Sequence, residues 1–157
     1  MNTHTDPQLS VKILFRFYSE LLDQEVEEII SAETINLEMG KYRISDIPFY
    51  TPGIATDDIV SALYNDEEEM LVYHETLSSS GNSIVWVVIT DDETTIEQVQ
   101  EIFLALECDS EEVSERFFAM EVKLSTSYFR VRDKLIELKS EGVIDFAESY
   151  LSLVHQY

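Results

Sequence analysis

The chain is predicted to be an α+β protein, with a small antiparallel N-terminal β subdomain that includes a short helix and a C-terminal ferredoxin-like βαββαβ unit. Three observations predict this class. Apolar and polar residues alternate through much of the first half, whereas apolar residues recur twice at helical spacing in the second half. The small, polar stretch SSSGNS at residues 78–83 separates the halves. We therefore place the subdomains at residues 1–80 and 81–157.

The first half begins with a predicted loose end at residues 1–10. Residues 11–18 (VKILFRFY) then alternate as a strand does. Residues 23–30 fit a helical turn or a strand, and we assign them to a strand that continues to Gly40. This glycine can supply the positive φ of a hairpin turn. Residues 41–49 are predicted to pair back as the next strand.

A corner with two prolines, residues 47–52 (IPFYTP), leads into a predicted helix, because proline lacks a backbone donor and biases the preceding residue away from helix. Thr56 is assigned as the N-cap, with Asp57 and Asp58 in the first turn, where carboxylates interact favourably with the helix dipole. The apolar face of this helix would consist of Ile59, Val60, Leu63 and Tyr64. Residues 70–77 alternate again and are predicted to form a strand.

The second half is predicted to run strand, helix, strand, strand, helix, strand. Residues 84–89 (IVWVVI) form a continuous apolar run, which is typical of a central strand covered on both faces. Thr94 and Glu97 are interpreted as the capping box of the first helix. A hairpin is predicted over residues 107–124.

The second helix is predicted to begin after Ser127, its N-cap, and to end before Gly142. Its apolar stripe consists of Tyr128, Val131, Leu135 and Leu138. Residues 143–146 are predicted to form the last strand. From residue 149 onward, an extension of this strand and a short closing helix both fit the sequence.

Charge is the most unusual property of the sequence. The chain has 32 Asp and Glu residues against 10 Lys and Arg residues, a formal net charge of −22, whereas a magnitude of about 2 to 8 keeps a small domain soluble. Residues 45–115 contain 18 acidic residues and no basic one, and half of the basic residues lie near the C-terminus. These are Lys123, Arg130, Arg132, Lys134 and Lys139. Such a surface repels nucleic acid and anionic lipid and attracts cationic partners, although general solvation or salt adaptation would give the same composition.

No catalytic, cofactor-binding or metal-binding residues are predicted. His4, His74 and His155 have no flanking motif and no short ligand spacing, and CxxC, HExxH and glycine-rich phosphate loops are absent from the sequence. Cys108 follows a helix, where the dipole does not lower a thiol pKa, so we expect an inert, packed cysteine. Residues 66–69 lack the spacing and the glycine of a calcium loop. We expect a protein that is not an enzyme; an enzyme using buried carboxylates is the weaker alternative.

The sequence also bears on location. The N-terminus MNTHTDPQLS has neither a basic start nor an apolar run, and no apolar segment approaches the roughly 20 residues of a membrane span. A single cysteine cannot form an internal disulfide. We therefore expect a cytoplasmic protein with no membrane partner and no nucleic-acid partner.

Three segments carry a family resemblance: Lys41–Val60 (KYRISDIPFYTPGIATDDIV), Ser80–Ser83 (SGNS) and Phe118–Tyr150, which includes Glu141 and Gly142. They resemble a bacterial family catalogued as a domain of unknown function, in which a stretch like RYRLDNIPFFAPGVAYGDVV precedes a Ser-Gly-His-Ser segment and a ferredoxin-like half. The family tends to have a histidine where this chain has Asn82. The resemblance implies a fold and no activity.

Small acidic proteins of this kind are also similar in character to the immunity proteins of contact-dependent growth inhibition and of polymorphic toxin systems. Such proteins neutralise a toxin, often a basic nuclease, by covering its active site or displacing its substrate. This resemblance predicts a non-catalytic acidic protein that binds and neutralises a basic toxin domain.

The residues expected to bind this partner share charge or an exposed aromatic ring. They are Tyr50, Asp57, Asp58, Asp66, Glu67, Glu68, Glu69, Asp91, Asp92, Glu93 and Phe117. The carboxylates would pair with lysine and arginine of the toxin, and Tyr50 and Phe117 are each the member of an adjacent aromatic pair expected to be less buried. The alternative is a small-molecule-binding regulatory module of ferredoxin-like type, which rests on fold analogy alone.

Overall fold

The computed structural model describes residues 10–20 and 22–157, so the predicted loose end, apart from Ser10, and its histidine His4 lie outside the described residues. It is a mixed α+β protein with two sheets, in which all but one of the strand pairs are antiparallel, and few helices. Contacts divide the chain into two compact units. The first unit comprises the described residues up to Asp46 together with Thr56–Ser80, and the second comprises Ile47–Ala55 and Gly81–Tyr157. This division differs from the predicted subdomains in the placement of Ile47–Ala55.

The first unit is a closed five-stranded barrel. Its strands are β1 (Ser10–Ser19), β2 (Gln24–Asn36), β3 (Lys41–Ile44), β4 (Ile59–Asn65) and β5 (Met70–Ser78). Sequential strands pair antiparallel, and a short parallel pairing of β1 with β5, Ile13 with Leu71 and Leu14 with Val72, closes the barrel. Gly40 lies at φ +63° in the turn between β2 and β3, as the hairpin prediction requires. Closure of the barrel leaves its sheet without a free edge.

The predicted helix after Thr56 is wrong, because this segment contains β4. Asp57 has a left-handed φ of 68°, which interrupts any right-handed helix at the position predicted for its first turn. The backbone N–H of Asp57 donates to the Ile44 carbonyl at 2.8 Å, so the chain is already paired with the end of β3. Along β4, Val60 and Ala62 are buried alternately, which is the period of a strand.

The second unit is built on a four-stranded antiparallel sheet in the order β7-β8-β6-β9. Its elements are β6 (Ser83–Ile89), α1 (Ile96–Leu104), β7 (Asp109–Ser114), β8 (Phe117–Val122), α2 (Tyr128–Ser140) and β9 (Ile144–Tyr150). A 3-10 turn at Leu153–His155 follows β9, so the last segment both extends the strand and closes in a short helical turn.

Both faces of this sheet are covered within the second unit. Val85 and Val87 belong to the cluster formed with Phe103 of α1 and Leu135 of α2. Alternate residues of a strand point to opposite faces, and Ile84 accordingly belongs to a second cluster. That cluster contains Ile47, Ala55, Ile84 and Ala119, with Phe49, Trp86, Val113 and Tyr150 packed against it. The two-proline corner thus covers the sheet face opposite the helices.

The two helices begin differently. The capping box of α1 consists of Thr95 and Gln98, one residue later than predicted. The hydroxyl of Thr94 donates to the Asp91 carboxylate, so it is engaged elsewhere. Ser127 is the N-cap of α2, as predicted, but its side chain makes no capping hydrogen bond.

Candidate functional site

The turn between β4 and β5 presents the first group of predicted site residues. Asp66, Glu67, Glu68 and Glu69 are all exposed. The side-chain oxygen of Asn65 accepts the backbone N–H groups of Glu67 and Glu68, both at 2.9 Å, which fixes the turn. The Glu68 carboxylate lies 3.0 Å from Nη2 of Arg16, so part of its charge is already paired within the barrel.

Asp57 and Asp58 have different environments. Asp57 is exposed, whereas Asp58 is only 1% exposed. The Asp58 carboxylate accepts the backbone N–H of Ser80 at 2.8 Å. Asp58 is therefore a correction to the predicted binding surface, because a buried carboxylate that holds the chain after β5 cannot face a partner.

The second unit presents Asp91, Asp92 and Glu93 in the turn between β6 and α1. Asp91 is half-buried, and the hydrogen bond from the Thr94 hydroxyl, with that from the Glu93 backbone, lowers the pKa of its carboxyl. Arg116 secures this turn by donating to the Ile89 carbonyl at 3.1 Å and to the Asp91 carbonyl at 3.0 Å. Asp92 and Glu93 are exposed. Asp91 thus shapes the turn that its two neighbours present.

Further carboxylates, which the sequence prediction did not select, extend this acidic region along α1 and β7. Two surface cavities of ≈440 Å³ and ≈330 Å³ lie there, and Glu97 lines both. The acidic residues that line them are Asp92, Glu97, Glu101, Asp109, Glu112 and Glu115, and we call this set the α1–β7 face. Arg116 is the only cation among the described residues that line the two cavities. In the described sheet, β7 is an edge strand.

The two aromatic residues selected from the sequence lie together in the second unit. The ring centroids of Tyr50 and Phe117 are 6.2 Å apart, and Tyr50 is 46% exposed. Phe117 follows Arg116 directly, and Arg116 secures the acidic turn after β6. The structure therefore brings the predicted aromatic pair to the same end of the sheet as Asp92 and Glu93.

A buried polar network, which the sequence did not reveal, surrounds His155. Its Nε2 lies 3.1 Å from the Thr126 carbonyl, which can only accept, so Nε2 carries the proton. Nδ1 therefore accepts, from the Ser83 hydroxyl at 2.6 Å and the Ser152 hydroxyl at 3.2 Å. The backbone N–H of Ser152 donates to Ser83 Oγ at 2.9 Å. Burial lowers the pKa of His155, and bonds to backbone carbonyls only partly oppose this shift.

The pairing of Ser83 with a neutral imidazole resembles the pairing that activates a nucleophile. Ser83, however, is 0% exposed, so a substrate atom cannot reach its Oγ in this arrangement. Ser83 begins β6 and His155 ends the 3-10 turn. We therefore assign the network a structural role, in which it holds the C-terminal turn against the first strand of the sheet.

Cys108 is packed in the core of the second unit and is 1% exposed. Burial, with a contribution from the neighbouring charge of Asp109, raises the pKa of its thiol to about 12. A thiol with this pKa is almost entirely protonated near neutral pH and is a poor nucleophile. Its environment agrees with the inert, packed cysteine that the sequence predicts.

Residues 10–20 and 22–157 include neither a candidate metal cluster nor a helix that could span a membrane. These ranges contain no group of three or more His, Cys, Asp or Glu side chains that could hold a metal ion. Within them, no helix has the length and apolar character needed to cross a membrane.

Comparison with known proteins identifies a family. The model of the family described as Domain of unknown function (DUF4265) matches residues 28–146. The chain belongs to this family. A crystal structure of a hypothetical protein from Neisseria gonorrhoeae is similar to this DUF4265 chain, with 19% sequence identity, a TM-score of 0.80 and coverage of 97% of this chain and 99% of the other. At that identity the likeness concerns the fold alone. No curated protein matches the chain.

The segments that carried the family resemblance have structural roles in this DUF4265 chain. Lys41–Val60 contains β3, the corner that covers the sheet of the second unit, and the start of β4. Asn82, where the family tends to have histidine, is 7% exposed, and its side-chain oxygen accepts the backbone N–H of Leu124 at 2.9 Å. Ser83, the last residue of SGNS, is the hydroxyl partner of His155. The SGNS segment was thus the one available sequence signal for this network.

Proposed function

We propose that this chain is a non-catalytic binding protein whose α1–β7 face binds a basic protein. The observation that carries the proposal is the arrangement of six carboxylates around two adjoining cavities. The single arginine among the described lining residues is committed to the backbone carbonyls of Ile89 and Asp91. Its charge is also offset by Asp92, 3.8 Å away. Asp109 likewise lies 3.9 Å from Lys123, so the excess negative charge of the face is carried by its other four carboxylates, Glu97, Glu101, Glu112 and Glu115.

The charge of the whole chain would act together with this face. A net charge of −22 attracts a cationic partner from a distance and repels nucleic acid. Complementary charge raises association rates by ~10 to 1,000-fold, and this enhancement of the rate falls steeply as the salt concentration rises. The exposed edge of β7 adds backbone groups to which an extended segment of a partner can pair.

Apolar contacts are available next to the acidic surface. A cavity of ≈350 Å³ is lined by Trp86, Val88, Phe117 and Phe146, among others. The indole Nε1 of Trp86 is buried and has no hydrogen-bond partner among the described residues. Binding energy in interfaces concentrates in apolar and aromatic anchors that a polar rim surrounds. Phe117, with Tyr50 beside it, is positioned to supply such an anchor for the same partner.

Within this class, we favour an immunity protein that neutralises a basic bacterial toxin domain of nuclease type. A nuclease binds phosphate with lysine and arginine, and the carboxylates of the α1–β7 face match those side chains in charge. Family membership supplies no activity of its own, because the family is described as a domain of unknown function. The support for this finer proposal is therefore the charge and its arrangement.

We also infer that the second unit is ferredoxin-like. The support is its element order, strand, helix, strand, strand, helix, strand, combined with the sheet order β7-β8-β6-β9. A regulatory module that binds a small molecule is the second candidate function for such a unit. The observation that favours it is a small cavity beside α2, which Arg132 and Tyr157 line.

The binding proposal predicts a gene for a basic toxin domain beside the gene of this chain, and the product of that gene, in an inactivated form, is the test partner. Calorimetry and stopped-flow measurements at about 50 and 500 mM salt should show tight binding whose association rate falls with salt. The double variant Glu97→Lys/Glu112→Lys, in which both residues line one cavity, should weaken binding at least ~100-fold.

The matched control is Glu25→Lys/Glu38→Lys, which makes the same change in net charge at two exposed positions of the barrel that are not among the predicted binding residues. It should slow association without a comparable loss of affinity. Equal losses in the two double variants would show that net charge and not the α1–β7 face determines binding. Absence of binding at low salt would contradict the immunity proposal.

A further inference from the structure

A cavity of ≈150 Å³ lies where the N-terminal end of α2 meets the C-terminal residues of the second unit. Ser127, Phe129 and Arg132 line it from the helix side, and His155 and Tyr157 line it from the other side. It lies apart from the α1–β7 face in the chain, and it shares no lining residue with the two acidic cavities. No part of the binding proposal above uses it.

Arg132 is the charged group of this cavity. Its guanidinium lies 3.7 Å from the centroid of the Tyr157 ring, a stacked cation–π contact that fixes its orientation. Its Nε is buried and has no hydrogen-bond partner among the described residues. This buried Nε is out of reach of a ligand, as Ser83 Oγ is, so the cavity can use Arg132 only through the parts of its guanidinium that line it.

The carboxylate that contacts the tyrosines beside Arg132 is already engaged in hydrogen bonds. Glu148 accepts hydrogen bonds from the hydroxyls of Tyr157, at 2.7 Å, and Tyr128. The two hydroxyls therefore hold its carboxylate, which is not among the residues lining the cavity. None of the salt bridges among the described residues involves Arg132, so an anionic ligand in the cavity would meet a charge that no described carboxylate neutralises.

The rim of the cavity is apolar. Leu124, Phe129 and Val154 line it and are 52%, 70% and 59% exposed. Exposed apolar side chains grouped around one opening mark a binding surface more often than isolated ones do. A ligand for this site therefore needs an acceptor that is planar and anionic, to match the guanidinium fork, and an apolar group, to cover the rim.

We propose that this cavity is a binding site for a carboxylate attached to an aromatic or aliphatic group, with Arg132 as the residue that recognises the carboxylate. The same chemistry is offered by a free small acid and by the terminal carboxylate of a peptide with a large apolar last residue. Inorganic phosphate lacks the apolar group that the rim would cover, and a tetrahedral phosphate ester lacks the planar shape of a carboxylate.

The probes are phenylacetate, its neutral isostere phenylacetamide, and the dipeptide acid acetylglycylphenylalanine. Each is titrated into the ¹⁵N-labelled full chain, and backbone and arginine Nε–Hε signals are followed by NMR. Phenylacetate should give saturable shifts at Ser127, Arg132 and Tyr157, whereas phenylacetamide should bind at least ~10-fold more weakly because it lacks the charge. Tighter binding of phenylacetate indicates a small acid as the ligand class, and tighter binding of the dipeptide indicates a peptide terminus.

Arg132→Gln is the informative variant, and Arg130→Gln is its matched control, because Arg130 is exposed on the same helix and does not line the cavity. Arg132→Gln should weaken phenylacetate binding about ten-fold or more, and Arg130→Gln should leave it within about two-fold. The proposal is overturned if neither acid binds at about 10 mM, if the amide binds as well as the acid, or if both variants behave alike. The acid–amide comparison needs no variant, so it holds even if Arg132→Gln perturbs folding.

Discussion

The two helices of the second unit pack on one face of one sheet, yet their exposed surfaces have opposite charge. α1 buries Ile96, Val99 and Phe103, and α2 buries Tyr128, Val131, Leu135 and Leu138. Outside these stripes α1 carries Glu97 and Glu101, with no basic residue in its last turn. α2 carries four of the ten basic residues of the chain and no acidic residue in its first turn. Packing in the core requires apolar residues on one side of each helix, but it does not constrain the charge of the exposed side.

The helix ends follow the same division. α1 begins with a complete capping box between Thr95 and Gln98. The Ser127 side chain makes no such bond at the start of α2, where the small cavity lies. We therefore predict that the N-cap side chain stabilises α1, whereas the first turn of α2 lacks such a cap and lines the small cavity instead.

The largest expected effect tests whether the helices are equally anchored. Phe103 and Leu135 are both 0% exposed, and truncation to alanine leaves a cavity in the same core. Phe103→Ala should lower the free energy of unfolding by ~3–5 kcal/mol and Leu135→Ala by ~2–5 kcal/mol. Urea denaturation measures both.

The exposed neighbours Leu104→Ala and Ile136→Ala serve as controls and should change stability by about 0.5 kcal/mol or less. A small loss for Leu135→Ala beside a large one for Phe103→Ala would show that α2 is only loosely attached. The two helices would then differ in how tightly they pack on the sheet and not only in the charge of their exposed sides.

The next effect concerns the network that holds the C-terminal turn beside α2. His155→Gln removes the ring that links Ser83, Ser152 and Thr126, and each loses a buried hydrogen-bond partner. We expect the free energy of unfolding to fall by ~1–3 kcal/mol. His74→Gln, at an exposed position of β5, should have little effect. Equal effects of the two substitutions would contradict the structural role of the network.

The same variant tests a pH dependence. Because burial lowers the pKa of His155 in the folded state, the unfolded chain binds the proton more readily. The stabilisation is complete above the unfolded pKa of about 6.5 and is lost progressively as the pH falls below it towards the folded pKa. Thermal unfolding between pH 7.5 and about 5 should therefore show a steeper loss of stability in the wild type than in His155→Gln.

The smallest expected effect compares the helix N-caps. Thr95→Ala removes a side-chain acceptor for the Gln98 backbone N–H, bonded at 3.3 Å, and should cost ~1 kcal/mol. Ser127→Ala should cost less than about 0.5 kcal/mol, because this side chain makes no capping bond. Chemical denaturation of the two variants measures both losses in the free energy of unfolding. A larger loss for Ser127→Ala would reverse the assignment of which helix is capped.

The cap of α1 shows where sequence reasoning reaches its limit. Thr94 with Glu97 and Thr95 with Gln98 both fit a capping box, one residue apart. The choice between them is made by Asp91, which accepts from the Thr94 hydroxyl and leaves Thr95 to cap. Local spacing predicted the helix; its first residue depended on a third side chain.

The misassigned helix has a different physical cause. Ile59, Val60, Leu63 and Tyr64 are spaced as on a helical face, but Leu63 and Tyr64 are 63% and 62% exposed. An apolar residue is often exposed, so the spacing of these four residues did not show which of them are buried. Pairing with β3, in which Lys41 lies opposite Ser61, and with β5 determined this segment, and helical spacing of apolar residues does not reveal such pairing.

Some residues of the candidate sites could be selected from the sequence, and others could not. Tyr50, Phe117 and the turn containing Asp92 were identified from the sequence, because charge and adjacent aromatic pairs are visible there. The role of Glu97 became visible only when α1 lay beside β7. Ser83 and His155, 72 residues apart, and the unpaired Nε of Arg132 are consequences of packing alone.

The segment Ile47–Ala55, which covers one face of the second unit, also sets an order for synthesis. It leaves the ribosome before any strand of the sheet that it covers, and the cluster that contains Ile47 and Phe49 is complete only after β9 has been made. A gene fragment that begins at residue 81 would therefore encode the whole sheet and both helices but lack one of its two covers. The complete second unit can therefore be expressed only together with the barrel, because Ile47–Ala55 lies in the chain between the barrel strands β3 and β4.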